Sequence, residues 1–273
     1  MGAVDKWGGC GQVGGLGGVV VSLRWAVADS WTMTRRDLAH WVRQPGPVVV
    51  SLLFPVLVVL MFGYLFGGAI SVPGGGSYRE YLMPGMFAVT MLFGIESTMV
   101  AVSTDAARGV TDRFRSMPMA RGAVLVGRCT ADMLNSAAGL AVMIGCGLLV
   151  GWRSHGSILG TVAAIGLLLL LRLGFLWVGV YLGLLVKGPE SVVAVQILVW
   201  PVAFLASTFV DPATMPGALR AIAEWNPLSA TMGTIRDLFG NPGGDSELVL
   251  ALGWPALLLV IFGPLAVRRY QWG

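Results

Sequence analysis

The sequence predicts an all-α integral membrane protein with six transmembrane helices. Of the 273 residues, 56% are hydrophobic and only 12% are charged, whereas soluble domains carry about 25% charged residues. The apolar residues form six runs of about 20 residues, the length that a helix needs to cross the hydrocarbon layer. Lys and Arg are concentrated in alternate connections between these runs, which is typical of a chain with one fixed orientation in a membrane.

Charge and cysteine content argue against a nucleic-acid partner and against a metal site. The net charge is +4, but the basic residues lie along one predicted side of a membrane rather than on a folded basic face. Cys10, Cys129 and Cys146 are widely spaced, and only His40 and His155 accompany them. We therefore expect no bound metal, no disulfide framework and no nucleic acid.

The N-terminal region divides into a flexible cytoplasmic tail, residues 1–21, and an interfacial helix, residues 22–47. Residues 9–14 match the pattern G-x-G-x-x-G, but neither a strand before them nor a helix after them is predicted, so they do not indicate a nucleotide site. Residues 22–44 alternate Trp with Arg, as suits a helix lying along the inner headgroups. Pro45 and Pro47 end this helix before the first span.

A single transmembrane domain, residues 48–270, follows. Its first apolar run has 23 residues without a charge, which is about 35 Å of helix at 1.5 Å per residue. An even number of spans places both termini on the same side. The predicted spans are 48–70, 82–104, 129–150, 158–186, 191–210 and 248–267.

The distribution of basic residues predicts the orientation. The N-terminal region, residues 105–128, Lys187 and the pair Arg268 and Arg269 hold 13 of the 18 Lys and Arg residues, and the opposite loops hold four. The positive-inside rule places the richer side in the cytoplasm. We therefore expect both termini and the 105–128 loop on the cytoplasmic face of a bacterial cytoplasmic membrane.

A basic segment, residues 105–132, separates the second and third spans. Val110, Phe114 and Met117 fall at i, i+4 and i+7, which predicts a short helix with one apolar stripe beside a basic surface. Pro118 disfavours continuing that helix beyond Met117. Its charged residues are Asp105, Arg108, Asp112, Arg113, Arg115, Arg121, Arg128 and Asp132.

The residue order D-x-x-x-G-V-x-D-R-F-R-S-M-P-M-A-R-x-A-V-L-x-G-R-x-x-A-D resembles the loop between the second and third spans of ABC-2 type exporter permeases, and in particular the daunorubicin-resistance type. The resemblance implies a type V exporter-like fold in which this segment is the coupling helix that docks on a separate cytoplasmic ABC ATPase. The alternative is that these basic residues only set orientation and touch lipid headgroups. The residues implied in ATPase coupling are Arg108, Gly109, Val110, Asp112, Arg113, Phe114, Arg115, Met117, Pro118, Arg121 and Arg128.

The segment between the fifth and sixth spans, residues 211–247, predicts two short amphipathic helices hinged at Pro227. It is too polar for a span but apolar enough to dip into the outer interface. The same family has short re-entrant outer helices here with a similar Asn-Pro and a following Arg. The resemblance therefore implies that Asn226, Pro227 and Arg236 form the outer hinge, and a plain extracellular loop is the alternative.

Two charges interrupt the spans. Glu96 and Arg172 each lie 14 residues beyond the predicted outer starts of their spans, Leu82 and Ile158, so an ion pair at equal depth is possible. An unpaired charge near mid-membrane costs about 2.5–3.5 kcal/mol on insertion scales, so each should face a partner or a wet cavity. Three interpretations follow: a structural pair, two residues lining the substrate path, or unrelated partners.

Motifs for catalysis are absent from the sequence. It contains no G-x-x-x-x-G-K-[ST], no G-x-S-x-G and no H-E-x-x-H, so we expect no enzyme and no nucleotide site in this chain. The resemblance implies that ATP and Mg²⁺ bind to the partner ATPase, and that a second copy of this chain or a close homologue completes the exporter.

We therefore expect the permease subunit of an ATP-driven exporter for a hydrophobic or amphipathic compound, such as an antibiotic, another drug or a lipid-like molecule. Two other functions remain open: a proton-coupled secondary transporter using Glu96 and Arg172, and a membrane scaffold that transports nothing. Within the same family, the alternative substrate is a polysaccharide or a lipid-linked glycan.

Overall fold

The computed structural model describes residues 46–65, 72, 75–107, 121–186, 189–244 and 246–272, and within them it contains helices and turns but no strand. A π-helical turn, Met61–Leu65, extends the first helix, and a 3-10 turn, Pro212–Thr214, precedes the sixth. The helices are α1 (Gly46–Leu60), α2 (Tyr78–Ala107), α3 (Arg121–Val150), α4 (Ile158–Leu185), α5 (Pro189–Phe204), α6 (Gly217–Glu224), α7 (Pro227–Phe239) and α8 (Leu248–Trp272).

Four stretches are long and apolar enough to cross a membrane: Tyr78–Ala107, Gly127–Val150, Ile158–Leu185 and Leu248–Tyr270. Two shorter apolar stretches, Leu53–Leu65 and Ser191–Phe204, occupy the places of the predicted first and fifth spans. The helical membrane class is therefore confirmed, while the count of six spans stays a prediction that depends on the two shorter helices.

Several helix boundaries differ from the predicted ones. α2 continues to Ala107 and α3 begins at Arg121, so both ends of the basic segment extend the helices on either side. α1 begins at Gly46, inside the predicted interfacial helix; the rest of that helix and the predicted tail, residues 1–45 together, lie outside the described residues. A helix can carry charged side chains once it has left the hydrocarbon layer. The polar residues therefore did not show where α2 ends and α3 begins.

The helix in the fifth predicted span, residues 191–210, ends six residues before the predicted span does. α5 contains Pro201 and ends at Phe204, and residues 205–210 form bends and turns. These six residues, Leu-Ala-Ser-Thr-Phe-Val, are nearly as apolar as the helix before them. Because the hydropathy of these residues is still high, it predicted a span that continues beyond the end of the helix.

Close packing of α2 on α4 organises the bundle, and α4 in turn packs along α8. Gly179 and Gly183 of α4 make the first contact possible: a Cβ at Gly179 would lie 2.8 Å from the carbonyl oxygen of Ile95, and one at Gly183 would lie 2.8 Å from the Cβ of Val102. Small residues one turn apart let two helix backbones approach closely, as is common between membrane helices.

The turn between α3 and α4 is tied to the end of α7. The backbone N–H of Gly156 donates to the carbonyl of Phe239 at 2.7 Å, and Trp152 Nε1 donates to Asn241 Oδ1 at 3.0 Å. At the opposite end of the bundle, Val102, Cys129 and Val180 belong to a separate apolar cluster. The α3–α4 turn and this cluster, which lies near the end of α2 and the start of α3, are thus at opposite ends of the bundle, as antiparallel spans require.

Candidate functional site

The predicted ATPase-coupling residues lie mostly outside the described residues. Arg121 is described only as the first residue of α3. Arg128 lies two turns further along, and its Nη1 donates to the Asp105 carboxylate near the end of α2. This ion pair connects the two helices that enclose residues 108–120. The residues outside the described part are Arg108, Gly109, Val110, Asp112, Arg113, Phe114, Arg115, Met117 and Pro118.

Arg172 lies where three helices meet. Only 1% of the residue is exposed. Its Nε donates to Ser136 Oγ of α3 at 2.7 Å, and its Nη2 donates to Thr98 Oγ1 of α2 at 2.8 Å. Its guanidinium lies against Gly94, where a Cβ would approach Arg172 Cζ to 2.6 Å. Glycine at position 94 therefore makes room for the buried guanidinium.

Asp132 supplies the opposite charge for Arg172 through a bridging hydroxyl. Thr98 Oγ1 lies 2.8 Å from Asp132 Oδ2 and 3.0 Å from the Gly94 carbonyl oxygen, either of which can receive its single proton. The same oxygen accepts the hydrogen bond from Arg172. Thr98 thus connects the guanidinium to the carboxylate in a part of the protein where water is scarce and such hydrogen bonds are strong.

Glu96 and Arg172 do not form the ion pair that equal depth suggested. The Glu96 carboxylate accepts a hydrogen bond from Gln196 Nε2 of α5. Glu96 lies two residues from both Gly94 and Thr98, which is about 200° around the helix at 3.6 residues per turn. It therefore faces away from Arg172, and the interpretation of unrelated partners is the one that the geometry supports.

An acidic–aromatic face surrounds Glu96. The ring centroids of Phe54 in α1 and Trp200 in α5 lie 5.0 Å apart, and those of Phe93 in α2 and Trp200 lie 5.2 Å apart. Phe93 lies one turn from Glu96, and Trp200 lies one turn from Gln196. Because Phe54 is 40% exposed and Glu96 is half-buried, this face combines aromatic surface with a carboxylate inside a span.

Arg236 connects α7 to the break after α5. It is 1% exposed, and its Nε donates to the Tyr81 carbonyl at 3.0 Å while its Nη2 donates to the Ser207 carbonyl at 2.7 Å. Its guanidinium also lies 3.7 Å from the centroid of the Tyr81 ring, an arrangement that adds a cation–π contact.

Asn226 and Pro227 shape the same region. Asn226 Oδ1 accepts from the backbone N–H of Leu228 and so caps α7, and its Nδ2 donates to the Val202 carbonyl at 2.8 Å. Pro227 is the first residue of α7, where its missing N–H removes no helical hydrogen bond. The structure thus brings all three predicted hinge residues to the end of α5.

Residues that no sequence motif marks complete this region. Tyr78 and Tyr81 donate through their hydroxyls to the carbonyls of Phe209 and Ser207, at 3.2 and 3.0 Å. The backbone N–H of Ser207 donates to Ser229 Oγ. Non-helical backbone at membrane depth is tolerated where it is buried in protein or lines a water-filled cavity, and these side chains bond to the Ser207 and Phe209 carbonyls and to the Ser207 N–H. The available signal was the Ser-Thr pair at 207–208 within an apolar run that follows Pro201.

Helix α6 presents an apolar, exposed surface. Trp225, directly after α6, is 76% exposed and Ile222 is 52% exposed. Arg220 Nε donates to Glu224 Oε1 one turn away at 2.6 Å, and this hydrogen bond raises the pKa of Arg220. An amphipathic helix with an exposed indole is typical of a membrane interface.

Residues 29–239 match the family model described as ABC-2 type transporter. The chain belongs to the ABC-2 type transporter family. It is 33% identical over 249 residues to the daunorubicin resistance ABC transporter permease protein DrrB1 of Streptomyces coeruleorubidus, an alignment that covers 90% of this chain and 88% of the relative. The resemblance inferred from residues 105–132 is confirmed.

Two further relatives are more distant. The probable doxorubicin resistance ABC transporter permease protein DrrC of Mycobacterium tuberculosis (strain ATCC 25618 / H37Rv) is 23% identical over 250 residues, 88% of each chain. The putative transport permease ycf38 of Porphyra purpurea is 24% identical over 227 residues, 81% of this chain and 77% of the relative.

Within the described part of this ABC-2 permease, no group of three or more His, Cys, Asp and Glu residues is arranged to hold a metal ion. Three polar assemblies of this part matter for the function. They are the Arg128–Asp105 pair with the Arg172 network, the face around Glu96, and the Arg236 region.

Proposed function

We propose that this chain is the membrane subunit of an ATP-driven exporter that moves a hydrophobic or amphipathic compound, such as an antibiotic or another drug, out of a bacterial cell. The observation that carries the proposal is the 33% identity over 90% of the chain to a permease named for daunorubicin resistance. A more distant relative is named for doxorubicin resistance.

The proposed topology has six spans with both termini in the cytoplasm. α1 and the π turn after it cover 46–65, and these 20 residues correspond to about 30 Å of helix, enough to cross the hydrocarbon layer. α5 is shorter, and residues 205–210, in which side chains bond to the Ser207 and Phe209 carbonyls, continue the chain toward the outer surface. α6 and α7 then form the re-entrant outer helices.

A separate ATPase is proposed to bind ATP and Mg²⁺ and to dock on residues 108–120, the docking segment. Phe114 and Met117 would supply the buried apolar contact, and the surrounding arginines would orient it. The Arg128–Asp105 pair supports this assignment because it connects the two helices that carry the docking segment.

Transport is proposed to proceed by alternating access between two copies of this chain, or between this chain and a close homologue. Closure of the two ATPases on ATP would move the docking segments and, through them, the spans. The acidic–aromatic face around Glu96 is the proposed lining of the substrate path, because its rings offer stacking surface and its carboxylate has no cationic partner among the hydrogen bonds it makes.

Reconstitution tests this function directly. Vesicles containing the permease and its ATPase should accumulate daunorubicin when ATP is added outside, and substitution of the P-loop lysine of the ATPase should abolish accumulation. Accumulation driven by a proton gradient without ATP would favour a secondary transporter. Retention of the permease in membranes with no ATPase bound and no transport would favour a scaffold.

A further inference from the structure

One face of α3 carries polar residues on three successive turns. Arg128, Asp132 and Ser136 are spaced by four residues, which aligns them along the helix. Each bonds to a side chain of a neighbouring helix: Arg128 to Asp105, Asp132 to Thr98, and Ser136 to Arg172. These six residues, which we call the polar ladder, are Asp105, Thr98, Arg128, Asp132, Ser136 and Arg172.

The polar ladder runs from the end of the bundle into its buried interior. The side chains of Arg128 and Asp105 are 18% and 31% exposed, Asp132 is 9% exposed and Arg172 is 1% exposed. Two arginines balance two aspartates, so the ladder is neutral as a whole. A neutral, hydrogen-bonded set of charges is tolerated inside a membrane, whereas any one of these charges alone is not.

Hydrogen bonding within the polar ladder is incomplete. Among the residues whose side chains are described, the buried side-chain nitrogen atoms without a hydrogen-bond partner are Arg128 Nε and Arg172 Nη1, and both belong to the ladder. Unsatisfied buried donors are rare in proteins, so each one calls for an explanation. A carboxylate can receive two N–H groups of one guanidinium side by side, so direct pairing of Arg172 with Asp132 would be a better-satisfied alternative.

The rest of α3 is held differently. In its outer half, Leu140, Met143 and Val150 belong to the main apolar core, and Gly147 allows close contact with Met83. The inner half is held by the polar ladder and by a smaller apolar cluster that contains Cys129. Apolar packing thus fixes the outer half of α3, while the inner half combines a smaller apolar cluster with polar contacts that can exchange partners.

We propose that the polar ladder transmits movement of residues 108–120 into the membrane, by exchanging the Thr98-bridged contact between Arg172 and Asp132 for a direct pair between them. The inference rests on the proposed function, because it requires an ATPase docked on that segment. Thr98, Asp132 and Arg172 are positioning residues in this scheme: they set the relative placement of α2, α3 and α4, and the substrate does not contact them.

The test compares Thr98→Val with Thr98→Ser in the reconstituted complex. Valine keeps the shape of threonine but removes the bridging hydroxyl, whereas serine keeps the hydroxyl. A hydrogen bond to a charged group shifts an equilibrium by about tenfold or more, so Thr98→Val should reduce daunorubicin transported per ATP hydrolysed by about that factor. ATPase binding and basal ATP hydrolysis should remain, and Thr98→Ser should behave as wild type.

Thr90→Val is the matched control. Thr90 is a half-buried residue of the same helix, and its hydroxyl donates to the Met86 carbonyl one turn earlier. A general loss of helix stability from a Thr→Val change would appear in both variants. Loss of transport per ATP only in Thr98→Val supports the ladder, and an unchanged ratio in Thr98→Val overturns it.

A distance measurement covers the case in which Thr98→Val does not fold. Spin labels at Val100 of α2 and Leu134 of α3, both exposed, would be placed in a transporting background lacking the native cysteines. The inter-label distance should differ between the nucleotide-free and vanadate-trapped complexes. An unchanged distance during active transport would overturn the ladder, whereas failure of the wild-type chain to bind any ATPase would overturn the proposed function first.

Discussion

The guanidinium of Arg236 stacks on the ring of Tyr81 at 3.7 Å and also donates to the Tyr81 carbonyl at 3.0 Å. Arg236 Nη2 donates to the Ser207 carbonyl, which also accepts a hydrogen bond from the Tyr81 hydroxyl. The Ser207 carbonyl, which belongs to backbone that has left the helix inside the bundle, thus accepts hydrogen bonds from both side chains. The planar, forked shape of arginine is what permits these contacts together.

Substitution of Arg236 should destabilise the permease more than substitution of Tyr81. Arg236→Lys removes the forked guanidinium and its stacking on the Tyr81 ring, and Arg236→Gln also removes the positive charge. Tyr81→Phe loses one hydrogen bond, which costs about 1 kcal/mol. Thermal unfolding in detergent should rank Arg236→Gln as the least stable, then Arg236→Lys, then Tyr81→Phe. Arg220→Gln, in the exposed pair on α6, should have no measurable effect, and an equal effect of Arg220→Gln would contradict the assignment.

A second prediction concerns the contact between α2 and α4. Gly179→Val should lower the melting temperature and the yield of monodisperse protein, because overpacking a tight contact costs about 1–3 kcal/mol. Gly166→Val is the matched control, since Gly166 is exposed on the same helix and a Cβ there would meet nothing within 4 Å. Equal tolerance of valine at both positions would show that the two helices do not pack closely in the membrane.

The docking segment gives a third prediction. Charge reversal of Arg113 and Arg115 together should abolish substrate-stimulated ATP hydrolysis while the permease still inserts, because steering and register of docking depend on these charges. The matched control is charge reversal of Arg268 and Arg269 at the C-terminus, which should leave stimulation intact. Undiminished stimulation in the Arg113 and Arg115 variant would refute the assignment.

Orientation is tested by thiol labelling in intact cells. Ala107 at the end of α2 and Ala213 before α6 are both exposed, so single cysteines at these positions should be equally reactive if both faced the medium. With the native cysteines replaced, an impermeant reagent added outside should label position 213 and not position 107. The reverse pattern would overturn the proposed topology.

The sequence predicted the membrane class and most helices because apolar length alone decides which segments enter lipid. It did not predict the end of α5, since residues 205–210 remain apolar. The helix stops where groups distant in sequence take up the freed backbone: the hydroxyl of Tyr81 reaches Ser207 across 126 residues. No pattern among neighbouring residues in the sequence predicts a contact between residues so far apart.

The partner of Arg172 was missed for a geometric reason. Equal depth in the membrane does not bring two side chains together when they leave their helices on different faces. Asp132 belongs both to the basic segment, residues 105–132, and to the predicted third span, residues 129–150. Asp132 is 18 residues from Val150 and Arg172 is 14 residues from Ile158. The four-residue difference is about 6 Å, which a long arginine side chain covers.

The last prediction separates Glu96 from Arg172. Arg172→Gln should strongly reduce folded yield, because removing one member of a buried charge pair costs about 3–5 kcal/mol and leaves Asp132 without its counter-charge. Glu96→Gln should fold nearly as wild type, since an amide can still bond to Gln196, but should transport less. Exchanging the two residues should not restore yield, because it places a second carboxylate beside Asp132 and an arginine on the opposite side of α2. Size-exclusion chromatography of the three variants decides the matter: a yield for the exchange variant above that of Arg172→Gln would restore the pairing that the geometry rejects.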